Sequence, residues 1–185
     1  MYPHVAHVFV DGGYIREVGR TFGVPLPDPR HLSRALVESP VIQNWSYNPV
    51  HTTNAFLGRT TYYDALPDTP TVDTPELEDY WRRIELLEDM HLGFGALRGL
   101  KRRARQKGVD VLLAVDMLTG AFASIFDIAV LVAGDADFIP AVEEVKRRGV
   151  MVLVVADPKS LADDLRRAAD RFFALAPESK LLRPL

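Results

Sequence analysis

Three runs along the chain are apolar with little alternation: Val5 to Val10, Ile128 to Ala133 and Val150 to Ala156. Near-continuous apolarity over strand length is the pattern of a strand covered on both faces. The stretch Phe138 to Arg148 sets Ile139, Val142 and Val145 at helical spacing and stops at Gly149, a good C-terminal breaker. After Ala156, Ser160 can cap a helix through Arg171 whose apolar positions are Leu161, Leu165, Ala168 and Ala169. Phe172 to Leu175 then suits a short final edge strand. Strands separated by helices predict βαβ crossovers, hence an α/β fold with a parallel sheet.

The middle of the chain is less regular. Pro49, Pro67, Pro70 and Pro75, with paired threonines at 52–53 and 60–61, predict loops between positions 40 and 75. One strand interrupts them, Phe56 to Asp64, rich in Thr and Tyr. Glu76 to Met90 follows as a helix, with Thr74 able to cap it and Pro75 suited to its first position. His91 to Leu97 can supply a further strand. A short helix is expected from Tyr14, and another from Asp110 to Phe126 with Asp110 as its N-cap. In that second helix Asp116 shares the side of Leu112, and a carboxylate bordering an apolar stripe needs a donor, a cation or water.

Composition narrows the classes. A chain of 185 residues, 48% hydrophobic and 25% charged, suits one globular domain. No apolar stretch approaches the roughly 20 residues of a membrane span, and the opening residues lack the layout of a secretory signal. Cysteine is absent, which excludes disulfides, thiolate catalysis and cysteine-ligated zinc, and leans toward a cytoplasmic home. Net charge is −3, so attraction to a polyanion rests on local clustering. The dense basic cluster is Lys101, Arg102, Arg103, Arg105 and Lys107, which reads either as a solvated helix face or as a grip on phosphates.

The candidate chemistry lies at strand ends. Asp11 follows the first apolar run, and Asp135 and Asp137 follow the Ile128 run after Gly134. In one parallel sheet these three acids meet at its carboxyl edge, where open α/β sheets place their sites. Crowded carboxylates repel unless a cation or a shared proton relieves them. A magnesium- or manganese-dependent phosphoryl-transfer site is therefore the leading reading, with Asp116 as a fourth acid brought in by a helix. The bland alternatives are a turn or cap for Asp11, an N-cap for Asp137 and a cap, ahead of a ligand, for Asp110. Asp127 and Asp157 read as turn residues outside the site. The five histidines show no ligand spacing, and P-loop, GxGxxG and GxSxG patterns are missing.

Three ordered motifs carry a resemblance: Phe9-Val-Asp11-Gly-Gly-Tyr14, then Lys107-Gly-Val-Asp110 through Asp116-Met, then Ile128 through Gly134-Asp135-Ala-Asp137-Phe. Together they resemble the NYN domains, relatives of the PIN-like nucleases, in a bacterial branch once described as a domain of unknown function. The likeness spans essentially the whole chain as a single domain, with an irregular insertion at about 40–75. It implies a doubly wound α/β fold, a mostly parallel sheet with flanking helices, and a divalent-metal ribonuclease. Asp11, Asp135 and Asp137 match the family's strand-end acids, and Asp116 sits in its helical acid's motif with Asp110 beside it. Tyr14 stands where many members carry Asn, and Ala133 replaces a small hydroxyl residue.

The expected site is thus Asp11, Asp116, Asp135 and Asp137 holding one or two Mg²⁺ or Mn²⁺ ions, with Asp110 as a further ligand candidate. Lys101, Arg102, Arg103, Arg105, Lys107, Arg16, Arg20 and Tyr14 would hold the substrate. RNA, preferably single-stranded, is the expected partner; DNA and self-association stay open. The rival reading is a catalytically silent regulatory or binding module, since a fold is not a function. A metal-dependent phosphatase or a topoisomerase-primase-like domain also uses Asp-x-Asp, but the latter calls for a glutamate after the first strand.

Overall fold

The computed structural model describes residues 3–45, 54–65, 74–94 and 108–185. Six strands, β1 (His4–Asp11), β2 (Ala55–Asp64), β3 (Met90–Phe94), β4 (Ile128–Val132), β5 (Met151–Ala156) and β6 (Arg171–Ala174), form one sheet in the order β3-β2-β1-β4-β5-β6. Every strand pair is parallel. The apolar runs are continuous because successive side chains enter different cores. Val8, Val10, Val130 and Val155 face one core, and Phe9, Leu131, Val152 and Val154 face the other.

Helices α1 (Gly12–Thr21), α2 (Pro29–Glu38) and α4 (Thr74–Glu85) cover the first core, and the single turn α3 (Pro40–Gln43) adds Ile42 to it. Helices α5 (Val109–Phe122), α6 (Ile139–Arg147) and α7 (Asp163–Ala168) cover the second. The connections change face between β3 and β4. The crevice between β1 and β4 is therefore the topological switch point, and the doubly wound expectation holds.

Several expected boundaries move, each for a local reason. The helix expected to reach Met90 ends at Glu85, because Asp89 turns the chain with φ of 63° and Met90 already pairs with Thr60. Helix α2 went unforeseen, although Asp28 caps it by accepting the His31 N–H, Pro29 opens it, and Leu32 and Leu36 share its buried face. Ser160 does not cap α7; its hydroxyl pairs with the Tyr14 hydroxyl at 3.0 Å. The irregular 40–75 stretch contributes β2, which pairs with β1 on one side and β3 on the other. The expected strand His91 to Leu97 is shifted to Met90–Phe94, and its last residues lie outside the described chain.

Candidate active site

The site grows from the carboxyl ends of β1 and β4. Val10 pairs with Val132, so Asp11 leaves the sheet beside the segment that leads through Gly134 to Asp135. Asp11 caps α1: its Oδ1 accepts the Tyr14 N–H at 3.0 Å. Behind it, Gly12 admits no side chain, since a Cβ there would stand 2.5 Å from the Tyr62 ring and 2.7 Å from the Tyr63 carbonyl oxygen. The Tyr62 hydroxyl donates to the Gly12 carbonyl at 3.3 Å, which fixes the backbone that carries Asp11.

At the end of β4 the capping acid is Asp135. Its Oδ1 accepts the Asp137 N–H at 3.0 Å across a 3-10 turn, Ala136–Phe138, that precedes α6. Asp137 itself caps nothing and is exposed, so the capping role expected of it belongs to its neighbour. Gly134 lets the chain pass close to Tyr14, for a Cβ would meet that ring at 2.7 Å. The Tyr14 hydroxyl accepts the Asp157 N–H at 2.9 Å and pairs with Ser160. Tyr14 thereby ties the first strand end to the turn after β5.

The helical acid that joins this edge is Asp110. Gly108 occupies the cap of α5 and Asp110 lies in the first turn, not at the N-cap. Its carboxyl is held above the ordinary aspartate range by desolvation, then by the charges of Asp135 and Asp137. Asp11 is pushed up to about 6, chiefly by burial and further by the Asp110 charge; the Tyr14 N–H and the Arg16 guanidinium work against that rise. Asp110 is thus within electrostatic reach of Asp11, Asp135 and Asp137, and acids from three elements meet at the switch point, a crowding that a cation would relieve.

Asp116 is placed elsewhere. Six residues beyond Asp110, it lies about 9 Å further along α5 and about 120° around it. Its Oδ2 accepts the Tyr63 hydroxyl at 3.0 Å, and it lines a separate cleft of about 230 Å³ with His7, Arg59 and Thr61. In that cleft, burial and then the charges of Arg59 and His91 hold the His7 imidazole down to about 4. The donor that a carboxylate at an apolar border requires is thus Tyr63.

The basic residues divide. Arg16 is half-buried and ion-paired with Asp64, and it also donates to the Tyr62 hydroxyl at 3.2 Å. Its guanidinium serves the interior more than an incoming phosphate. Arg20 is exposed on α1. Lys101, Arg102, Arg103, Arg105 and Lys107 lie outside the described residues. Asp64, buried at the end of β2, was read in the sequence only as the last residue of a strand; it also accepts Trp81 Nε1–H at 2.8 Å and the Ala65 N–H at 2.8 Å. Its only sequence signal was an acid closing a strand, a weak one by itself.

A cation is tested by what these residues can donate. Hard carboxylate oxygens whose charges oppose one another suit Mg²⁺ or Mn²⁺. As the side chains stand, no three acids or histidines among the described residues gather closely enough to enclose an ion. The arrangement fits a cation held through one or two carboxylates with waters completing its shell, a common magnesium habit. Among the described residues no helix is long and apolar enough to cross a membrane.

Comparison with known proteins agrees with this architecture. The family model for the NYN domain matches residues 6–176. An uncharacterized protein of Methanocaldococcus jannaschii is 31% identical over 86 residues, 46% of this chain and 36% of that protein. The chain's match thus spans about a third of that relative's length. A crystal structure of a protein of unknown function from Vibrio parahaemolyticus superposes with a TM-score of 0.66, covering 94% of each chain at 18% identity. That likeness concerns the fold.

Proposed function

The chain belongs to the NYN domain family, within the PIN-like nuclease superfamily, and from that membership we propose that it is a divalent-metal-dependent ribonuclease. The observation that carries the reading is the meeting of acids at the switch point, where Asp110 is raised by the charges of Asp135 and Asp137 and itself raises Asp11. Catalytic carboxylates are where such perturbed acids concentrate. One or two of these carboxylates, with waters, would hold Mg²⁺ or Mn²⁺, which when bound supplies Lewis-acid stabilisation of charge building on the scissile phosphate.

The chain's own groups do the positioning. Asp11 and Asp135 are fixed by their hydrogen bonds to the Tyr14 and Asp137 N–H groups, so their carboxylates face the edge without a rotameric search. Asp110, exposed in the first turn of α5, closes the edge from the second core's side. With a pKa of about 6, Asp11 ionises fully only above that pH, or at lower pH when a cation neutralises its neighbours. The reading needs no histidine base and no covalent nucleophile. Single-stranded RNA is the preferred substrate, gripped by Arg20 and the basic run from Lys101 to Lys107 through its phosphates.

Cleavage of labelled single-stranded RNA and DNA with Mg²⁺ or Mn²⁺, beside EDTA and Asp135→Asn controls, tests this. Metal-dependent cleavage abolished in a folded Asp135→Asn protein is expected. Undiminished cleavage in that variant removes Asp135 from the mechanism. No cleavage of either polymer, with no metal binding, leaves a silent binding module instead.

A further inference from the structure

A crevice of about 490 Å³ opens between the end of α1, the turn after β5 and the segment after β6. Phe22, Pro158, Leu175 and Pro177 give it apolar walls, while Asp157 and Lys159 bring polar groups to it. That size and that mixture suit a small planar group with one polar edge.

Asp157 is the informative residue. It is only 8% exposed. Its Oδ1 accepts the Lys159 N–H at 3.0 Å, and among the described residues Oδ2 accepts no hydrogen bond. Oδ2 is not fully enclosed, so it is open to a group entering the crevice. A ligand that brings donors to this carboxylate oxygen gains charge-assisted hydrogen bonds there.

The crevice is also coupled to the acids. Tyr14, three residues past Asp11, accepts the Asp157 N–H on its hydroxyl. Strand β5, which Asp157 follows, neighbours β4, which leads to Asp135. Across the sheet the two strand ends are about 5 Å apart, within reach of one nucleotide.

We propose that this crevice receives a guanine base of the RNA strand, with Asp157 reading its Watson–Crick edge between the Phe22 ring and the flanking prolines. The proposal rests on reading the acidic edge as an RNA-cleaving site. Guanine sets two adjacent donors, N1–H and the N2 amino group, against a carboxylate. Adenine and cytosine place an unprotonated ring nitrogen beside their amino group, and uracil places one N–H between two carbonyls. Each of those three brings a lone pair against the carboxylate. Lys159, on the same rim, supplies a donor for guanine O6. Unstacked bases of single strands are recognised in this manner, by ring contacts on the faces and hydrogen bonds at the edge.

The test is binding of the full chain, in EDTA, to fluorescein-labelled heptameric RNAs, one all-uridine and one with a single central guanosine. Anisotropy should report about tenfold tighter binding of the guanosine strand, the lower range for a two-bond base contact. Asp157→Asn keeps the acceptor for the Lys159 N–H and should abolish the preference for the guanosine strand. Phe22→Leu keeps the core filled and should weaken the guanosine strand selectively. No preference in the parent protein, or one that survives Asp157→Asn, overturns the proposal. Binding is read in EDTA and cleavage separately with Mg²⁺ or Mn²⁺, so a guanine preference in EDTA without cleavage in metal sinks only the nuclease reading, and cleavage in metal without a preference in EDTA sinks only this one.

Discussion

Replacing Arg16 with methionine separates two roles the guanidinium could have. Its side chain is 12% exposed and that of its partner Asp64 only 4%. Arg16→Met leaves a buried carboxylate without its counter-charge, a change that costs about 3–5 kcal/mol when a buried pair is broken from one side. Asp64 keeps two donors, Trp81 Nε1–H and the Ala65 N–H, both at 2.8 Å, so the lower end applies. About 3 kcal/mol lowers the melting temperature of a chain this size by roughly 6–12 °C. Urea unfolding followed by tryptophan fluorescence measures it directly, since Trp81 is bonded to the affected carboxylate. Adding Asp64→Asn removes the stranded charge and should restore at least about 2 kcal/mol, a coupling typical of residues in one network. If Arg16→Met unfolds within about 1 kcal/mol of the parent yet loses RNA affinity, the guanidinium is a phosphate ligand and the structural role assigned to it is wrong.

Three further outcomes follow from the same edge. The folded pKa of Asp11, about 6, lies above its unfolded value, so the unfolded chain releases that proton first and stability falls as pH rises from about 4 to about 6; Asp11→Asn keeps the cap acceptor and should stabilise by up to about 2 kcal/mol at pH 7.5 but not at pH 4, as paired denaturant titrations would show. Gly12→Ala forces a Cβ against the Tyr62 ring and the Tyr63 carbonyl; it should destabilise by about 1–3 kcal/mol and lower cleavage by displacing Asp11, whereas a neutral result in both assays would contradict the close approach. Asp116→Asn and Tyr63→Phe should each leave metal-dependent cleavage within a few-fold of the parent while Tyr63→Phe costs about 1 kcal/mol of stability; loss of cleavage in Asp116→Asn would return that residue to the cation site.

The sequence by itself settled what depends on short stretches. Val5 to Val10, Ile128 to Ala133 and Val150 to Ala156 became β1, β4 and β5 because two-sided burial demands unbroken apolarity. Asp11 and Asp135 were legible for the same reason: an acid directly after such a strand must lie at the sheet's carboxyl edge. Helix α2 was equally local and could have been read from Asp28-Pro29 and the spacing of Leu32 and Leu36.

What the sequence could not decide was which acid of α5 meets that edge. The pattern favoured Asp110 as a cap and Asp116 as the ligand, yet starting the helix at Val109 puts Asp110 in the cluster and turns Asp116 toward Tyr63. Each residue rotates a helix by about 100°, so the facing acid depends on how α5 lies on the sheet. Arg16 finding Asp64, 48 positions away, and Tyr14 finding Asp157, 143 positions away, are likewise set by the stacking order of strands. Local pattern names the elements and their polar ends; only the assembled sheet brings distant side chains within the few ångströms over which charge and hydrogen bonding act.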